Sequence, residues 1–144
     1  MANLEPLIQS IPVAPLKLAS LEGCRTLADQ VNNYLVSFRH ESPTNVGQAD
    51  SLQGYCADSY LLECECPRFG SGEGKGVLKE SVRGCDLFIM VDVTNYSLTY
   101  RVNGYENHMS PDNHYQDLKR IISAADGKAR RINVIMPFLY EGRQ

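Results

Sequence analysis

Residues Asp86-Leu-Phe-Ile-Met-Val-Asp-Val93 hold a nearly unbroken apolar run. A run this short cannot sustain a helix by itself, and it reads as a strand covered on both faces, which belongs in the middle of a parallel sheet. Arg131-Ile-Asn-Val-Ile-Met-Pro137 has the same character and is expected to be another buried strand. Between the two, Ser110-Pro111 offers an N-cap hydroxyl and a first-turn proline. Tyr115, Leu118, Ile122 and Ala125 follow as the buried stripe of a helix, and Gly127 supplies a left-handed stop. Strand, helix and strand in this order imply a βαβ unit.

The N-terminal half repeats the theme. Leu16–Ser20 alternate as a short strand, and residues 23–38 place Leu27, Val31, Tyr34, Leu35 and Phe38 at helical spacing. Residues 40–58 are rich in Ser, Pro, Asn, Gly and Asp and are expected to form a surface excursion with little to bury. Tyr60–Cys66 alternates with period two, a glycine-rich turn follows from Gly70 to Gly76, and Val77–Glu80 completes the outline of a hairpin. Residues 95–109 show no clear period. The fold class is therefore α/β: a mostly parallel sheet flanked by helices, with one β-hairpin. Residues 1–15 read as an N-terminal extension and 16–144 as one domain.

Composition narrows the function classes. The chain has 144 residues, 14 Lys+Arg and 17 Asp+Glu, so it lacks the basic excess of a nucleic-acid binder. No apolar run approaches the roughly 20 residues of a spanning helix, so no membrane partner is expected. Five cysteines at irregular spacing, without a signal-like start, suggest a reduced, cytoplasmic setting.

Several local patterns have an ordinary reading beside a chemical one. The Gly70-Ser-Gly-Glu-Gly-Lys-Gly76 run invites a phosphate loop, but Phe69 stands where that motif needs its first glycine and Gly76 where it needs Ser or Thr. A hairpin turn and a ligand-touching loop both remain open. Cys64 and Cys66 share one strand face; with Cys56 or Cys85 they could gather around zinc, though buried reduced thiols are the simpler reading. His40, His108 and His114 are expected to be solvated. Lys128, Arg130 and Arg131 suit the negative end of the preceding helix. Ser81-Val-Arg83-Gly, at the mouth of the central strand, could hold a phosphate or be a plain turn.

Taken in order, these pieces resemble the N-terminal part of the ribose-phosphate pyrophosphokinase (phosphoribosyl pyrophosphate synthetase) family. Arg68-Phe-Gly-Ser-Gly-Glu73 resembles the family's Arg-Phe-x-Asp-Gly-Glu turn. Glu80-Ser-Val-Arg-Gly-Cys-Asp-Leu-Phe-Ile-Met90 resembles its Glu-Ser-Val-Arg-Gly-x-Asp-Val-Phe-Ile-Ile strand entry. Asp112-Asn113 and the helix that follows resemble its Asn-Asp-Asn helix. Arg131 to Gln144 resembles its closing Arg-Ile-x-x-Val-Ile-Pro-Tyr-Phe-x-Tyr-Ala-Arg-Gln.

The resemblance implies transfer of the β,γ-diphosphoryl group of MgATP to ribose 5-phosphate, giving phosphoribosyl pyrophosphate and AMP. It implies that Phe69 stacks on adenine, that Glu73 accepts from its exocyclic amine, and that Ser71 occupies the place of the turn's aspartate without its carboxylate. Arg143 and Gln144 would help hold ATP, and Ser81 and Arg83 would belong to a regulatory anion site between subunits of a homo-oligomer. Mg²⁺ would arrive with ATP. The family's metal-binding His, catalytic flexible loop and ribose-phosphate loop have no counterpart up to Gln144. The chain is therefore expected to be an inactive N-terminal fragment of a two-domain enzyme; the alternative is a non-catalytic regulatory or scaffold relative.

Overall fold

The computed structural model describes residues 13–41 and 54–143. The part of the N-terminal extension before Val13, most of the expected surface excursion and Gln144 lie outside them. Strand β1 (Leu16–Ser20) runs into a 3-10 turn at Glu22–Cys24 and helix α1 (Arg25–Glu41). Strands β2 (Leu61–Leu62), β3 (Cys64–Glu65) and β4 (Val77–Leu78) lead to β5 (Asp86–Met90). Then come β6 (Thr99–Val102), β7 (Tyr105–His108), helix α2 (Pro111–Ala124) and β8 (Arg131–Ile135).

Four strands form a parallel sheet in the order β2-β1-β5-β8. From β1 the chain winds outward through α1 to β2, and from β5 outward through α2 to β8. The direction of winding therefore switches between β1 and β5. Alternation along the strands separates the two faces. Leu18 and Met90 pack with Ala28 and Val31 of α1, whereas Ala19, Leu87 and Ile89 pack with Leu118 and Ile121 of α2 and with Ala125, its C-cap. The central apolar run is β5, as its composition requires, with Leu87 and Ile89 fully buried. Burial of each such side chain contributes about 2 kcal/mol.

Helix α2 starts where Ser110-Pro111 predicts: the Ser110 hydroxyl accepts from the Asn113 amide at 3.2 Å. Its buried stripe is centred one position earlier than expected. His114, Asp117, Leu118 and Ile121 are buried, while Tyr115 and Ile122 are half-buried. The left-handed stop begins at Asp126 (φ 50°) and continues through Gly127 (φ 63°).

Other expectations need correction. The Tyr60–Cys66 run is not one strand: Leu61–Leu62 joins the main sheet beside β1, and Cys64–Glu65 turns away to pair antiparallel with β4. Residues 95–109 contain an antiparallel ribbon, β6-β7, whose bend is Asn103-Gly104 with both residues at positive φ. That dipeptide is the strongest short hairpin signal, masked here by flanking strands that are mostly exposed and so carry little alternation. Strand β8 is an edge strand among the described residues, with Val134 and Ile135 exposed, and so is not buried on both faces. Tyr55, in the supposedly unburied excursion, is buried, and the Arg39 guanidinium lies over its ring and that of Tyr60. The three cations after α2 bind defined partners. Lys128 pairs with Asp126, Arg130 donates to the Val13 carbonyl, and Arg131 grips Asp86 with two bonds. The pairing with Arg131 holds the Asp86 carboxyl below its ordinary pKa.

Candidate functional site

The turn that carries Phe69, Ser71 and Glu73 is the tip of the β3-β4 hairpin. Backbone bonds close it from within: Phe69 N–H to the Glu73 carbonyl at 2.8 Å, Gly72 N–H to the Phe69 carbonyl at 2.9 Å, and Lys75 N–H to the Pro67 carbonyl at 3.0 Å. Gly72 (φ 87°) takes the left-handed position the bend requires. Ser71 is occupied in shaping the turn, its hydroxyl accepting from the Glu73 amide at 3.3 Å. Phe69 is 52% exposed and the Glu73 side chain faces solvent, so an aromatic face and a carboxylate are both presented outward.

What fixes this exposed tip is the residue before Phe69. Arg68 donates from both terminal nitrogens to Asp117 of α2, at 2.7 and 2.9 Å, and also to the Cys66 carbonyl at 3.2 Å. Both side chains of the pair are over nine-tenths buried. Desolvation works against the Arg68 charge, but the bonds to Asp117 outweigh it and raise its pKa. Arg120 adds a further bond to Asp117 at 2.6 Å, and the Tyr100 ring of the β6-β7 ribbon lies 5.0 Å from the Arg68 guanidinium carbon. The hairpin stem runs so close to α2 that a Cβ at Gly76 would sit 2.2 Å from the Arg120 carbonyl oxygen.

A cavity of about 180 Å³ opens behind Arg68, at the carboxyl end of β1. Leu21, Cys64 and Ile121 form its inner wall, the β6 residues Thr99 and Tyr100 its outer one, and Glu22 and Arg25 also line it. Clefts in doubly wound sheets form where the winding direction reverses, and this one lies beside that point. Cys66 joins Cys64 in the lining, as their shared strand face predicts. Burial pushes the Cys64 thiol up to about 11 and the Cys66 thiol to about 12, so both are poor nucleophiles. His114, expected to be solvated, is buried against the same cavity. Its Nε2 donates to the Asn95 carbonyl at 2.7 Å and ties the chain after β5 to α2. Sequence reasoning missed His114, Asp117 and Tyr100; the i, i+3, i+4, i+7 spacing of His114, Asp117, Leu118 and Ile121 was the available signal.

The remaining expected residues lie elsewhere. Ser81 lines a shallow groove with Lys75 and Lys128, while Arg83 is exposed outside that lining. Arg143 is exposed in the turns after β8. The closing segment is held by Tyr140, which donates to Asp112 at 2.5 Å and meets Tyr115 edge-on. Asp112 and Tyr115 lie on one flank of α2; Asp117 and Arg120 lie on another, roughly 140° away around the axis at 100° per residue. No hydrogen bond or ion pair joins the Phe69–Glu73 turn to residues 139–143 among the described residues. Nor do any three carboxylate, imidazole or thiol side chains gather there as a metal site.

Residues 16–144 match the family profile of the N-terminal domain of ribose phosphate pyrophosphokinase. The chain belongs to this family. A solved structure, that of phosphoribosylpyrophosphate synthetase from Mycobacterium smegmatis, shares the fold at a TM-score of 0.50 and 22% identity. The alignment covers 90% of this chain and 32% of that one, so the chain spans about a third of that synthetase. No curated protein matches the sequence. The pyrophosphokinase assignment agrees with the mostly parallel α/β architecture. No helix among the described residues is long and apolar enough to cross a membrane.

Proposed function

We propose that this domain supplies the nucleotide-facing wall of a ribose-phosphate diphosphokinase, which transfers diphosphate from MgATP to ribose 5-phosphate. One observation carries the reading: Phe69 and Glu73 are displayed outward on a tip whose base is clamped by a buried bidentate ion pair. An exposed aromatic face offers stacking to a purine, and an adjacent carboxylate accepts from an exocyclic amine. Rigid anchoring lowers the entropy lost on binding. Arg143 would neutralise phosphate charge, and Gln144 would help hold ATP. The tip and the closing segment dock on different flanks of α2, so one chain does not bring them together; in the homo-oligomer we propose, a pocket using both would take them from two copies. Ser81 and Arg83 would serve a regulatory anion, with Lys75 and Lys128 bordering the Ser81 groove.

The described residues supply no ligand set for Mg²⁺, so no step is assigned to the metal on this chain; it would enter as the counter-ion of ATP. In the cytoplasm the domain would act together with the catalytic half that phosphoryl transfer requires. The test is calorimetry of ATP with the parent and Phe69→Ala. Loss of the stacking partner should weaken binding by about 1 kcal/mol, roughly fivefold, and an unchanged affinity refutes the purine role.

Ser71 favours a second reading, a non-catalytic relative, because its hydroxyl is engaged by the turn's own backbone and offers no carboxylate. Absence of AMP release from ATP and ribose 5-phosphate, by a full-length protein that joins this domain to a catalytic half and still binds ATP, would select it.

A further inference from the structure

We infer that Tyr100, on the ribbon inserted between β5 and α2, is a positioning residue for the Phe69 turn. The inference rests on the nucleotide reading of that turn. Three contacts determine where the Arg68 guanidinium sits. Asp117 takes both terminal nitrogens, the Cys66 carbonyl takes one of them again, and the Tyr100 ring centre lies 5.0 Å from its central carbon. The first two belong to the hairpin stem and the helix. The third comes from β6, an element outside the main sheet.

The ribbon is tied to α2 at its base, where the Asn95 carbonyl before β6 accepts from buried His114, and its two legs are closed on each other by the Met109 amide, which donates to the Leu98 carbonyl at 2.9 Å. Register within it is set by four facing pairs from Thr99↔His108 to Val102↔Tyr105. Tyr100 is thus a fixed platform. Because Arg68 is bonded in sequence to Phe69 and pairs across the hairpin with Gly74, a shift of the guanidinium moves both legs of the turn. Tyr100 would act through Arg68, with no contact to nucleotide required.

A cation–π contact that is partly desolvated is worth enough that Tyr100→Leu should weaken ATP binding about three- to tenfold. Tyr100→Phe keeps the ring and should stay within about twofold of the parent. Inorganic tripolyphosphate, which lacks the base, should bind all variants alike. Tyr100→Gln, which removes the ring but suits an exposed ribbon, is the second variant should the leucine form not fold, and the same outcomes apply. If ring removal leaves ATP affinity unchanged while Phe69→Ala lowers it, the positioning role is overturned and the purine reading stands. If Phe69→Ala has no effect, the purine reading fails, and the inference with it. Equal loss for ATP and tripolyphosphate would mark a general structural defect and also overturn the inference.

Discussion

Replacing Asp117 with leucine isolates the interaction on which the hairpin tip depends. Leucine preserves the volume but removes the carboxylate that accepts from Arg68 twice and from Arg120 once. Arg120 is about one-fifth exposed and can turn toward solvent, whereas Arg68 is 6% exposed and keeps only the Cys66 carbonyl as a hydrogen-bond acceptor and the Tyr100 ring, with no counter-charge. An unpaired buried guanidinium costs about 3–5 kcal/mol, a large share of the roughly 5–15 kcal/mol that holds a domain folded. At roughly 3 °C per kcal/mol for this size, Tm should fall by about 10 °C. Urea unfolding followed by circular dichroism should show a lower midpoint at unchanged slope. Adding Arg68→Met removes the stranded charge, so the double variant should regain most of the loss. A single variant within about 1 kcal/mol of the parent, or a double variant no better than the single, would refute the claim that the pair is buried and mutually dependent.

Gly76→Ala places a methyl carbon 2.2 Å from the Arg120 carbonyl oxygen, and the helix backbone cannot yield. A loss of about 1–3 kcal/mol is expected in the same unfolding assay, whereas Gly104→Ala, with open space around its Cβ but φ 83°, should show only backbone strain. Among the five thiols, Cys56 alone is exposed and should react first with an aromatic disulfide reagent at pH 8, with Cys24, Cys64 and Cys66 slow until unfolding. Burial first, with nearby carboxylates adding at Cys24 and Cys66, holds these three protonated to about 11, 11 and 12 from 9.0. The unfolded chain therefore releases protons first, and stability should fall as pH rises through that window. Asp86 behaves in the opposite sense: the Arg131 bonds lower its pKa, so its contribution is complete above the ordinary value of 3.8 and is lost as pH falls below it. Asp86→Asn should flatten that part of the acid limb in pH-dependent urea midpoints.

Much of the sheet was legible because burial wrote itself into composition. The β5 run is apolar since both faces are covered, and Ser110-Pro111 signals a helix start through local chemistry alone. Strand β8 carries the same residue types without the same cover, so composition overstated its burial. Patterns failed where tertiary partners decide. His114 and Asp117 look like surface residues until Asn95 and Arg68 are placed against them, and two residues of the Tyr60–Cys66 run leave the sheet for a hairpin without any break in alternation. For the site, Phe69 and Glu73 could be found as a motif. That Arg68 anchors them, and that Tyr100 lies against it from a separate ribbon, depends on contacts 32 and more residues apart in the chain, as the positions of Arg68 and Tyr100 show.

The Asn103-Gly104 bend has open space at its glycine and stands at the far end of the ribbon that carries Tyr100. A small fluorophore grafted at that bend would leave the sheet intact while sharing a stiff lever with the guanidinium beneath. Its emission would then report, in real time, whether the Phe69–Glu73 tip is locked or free.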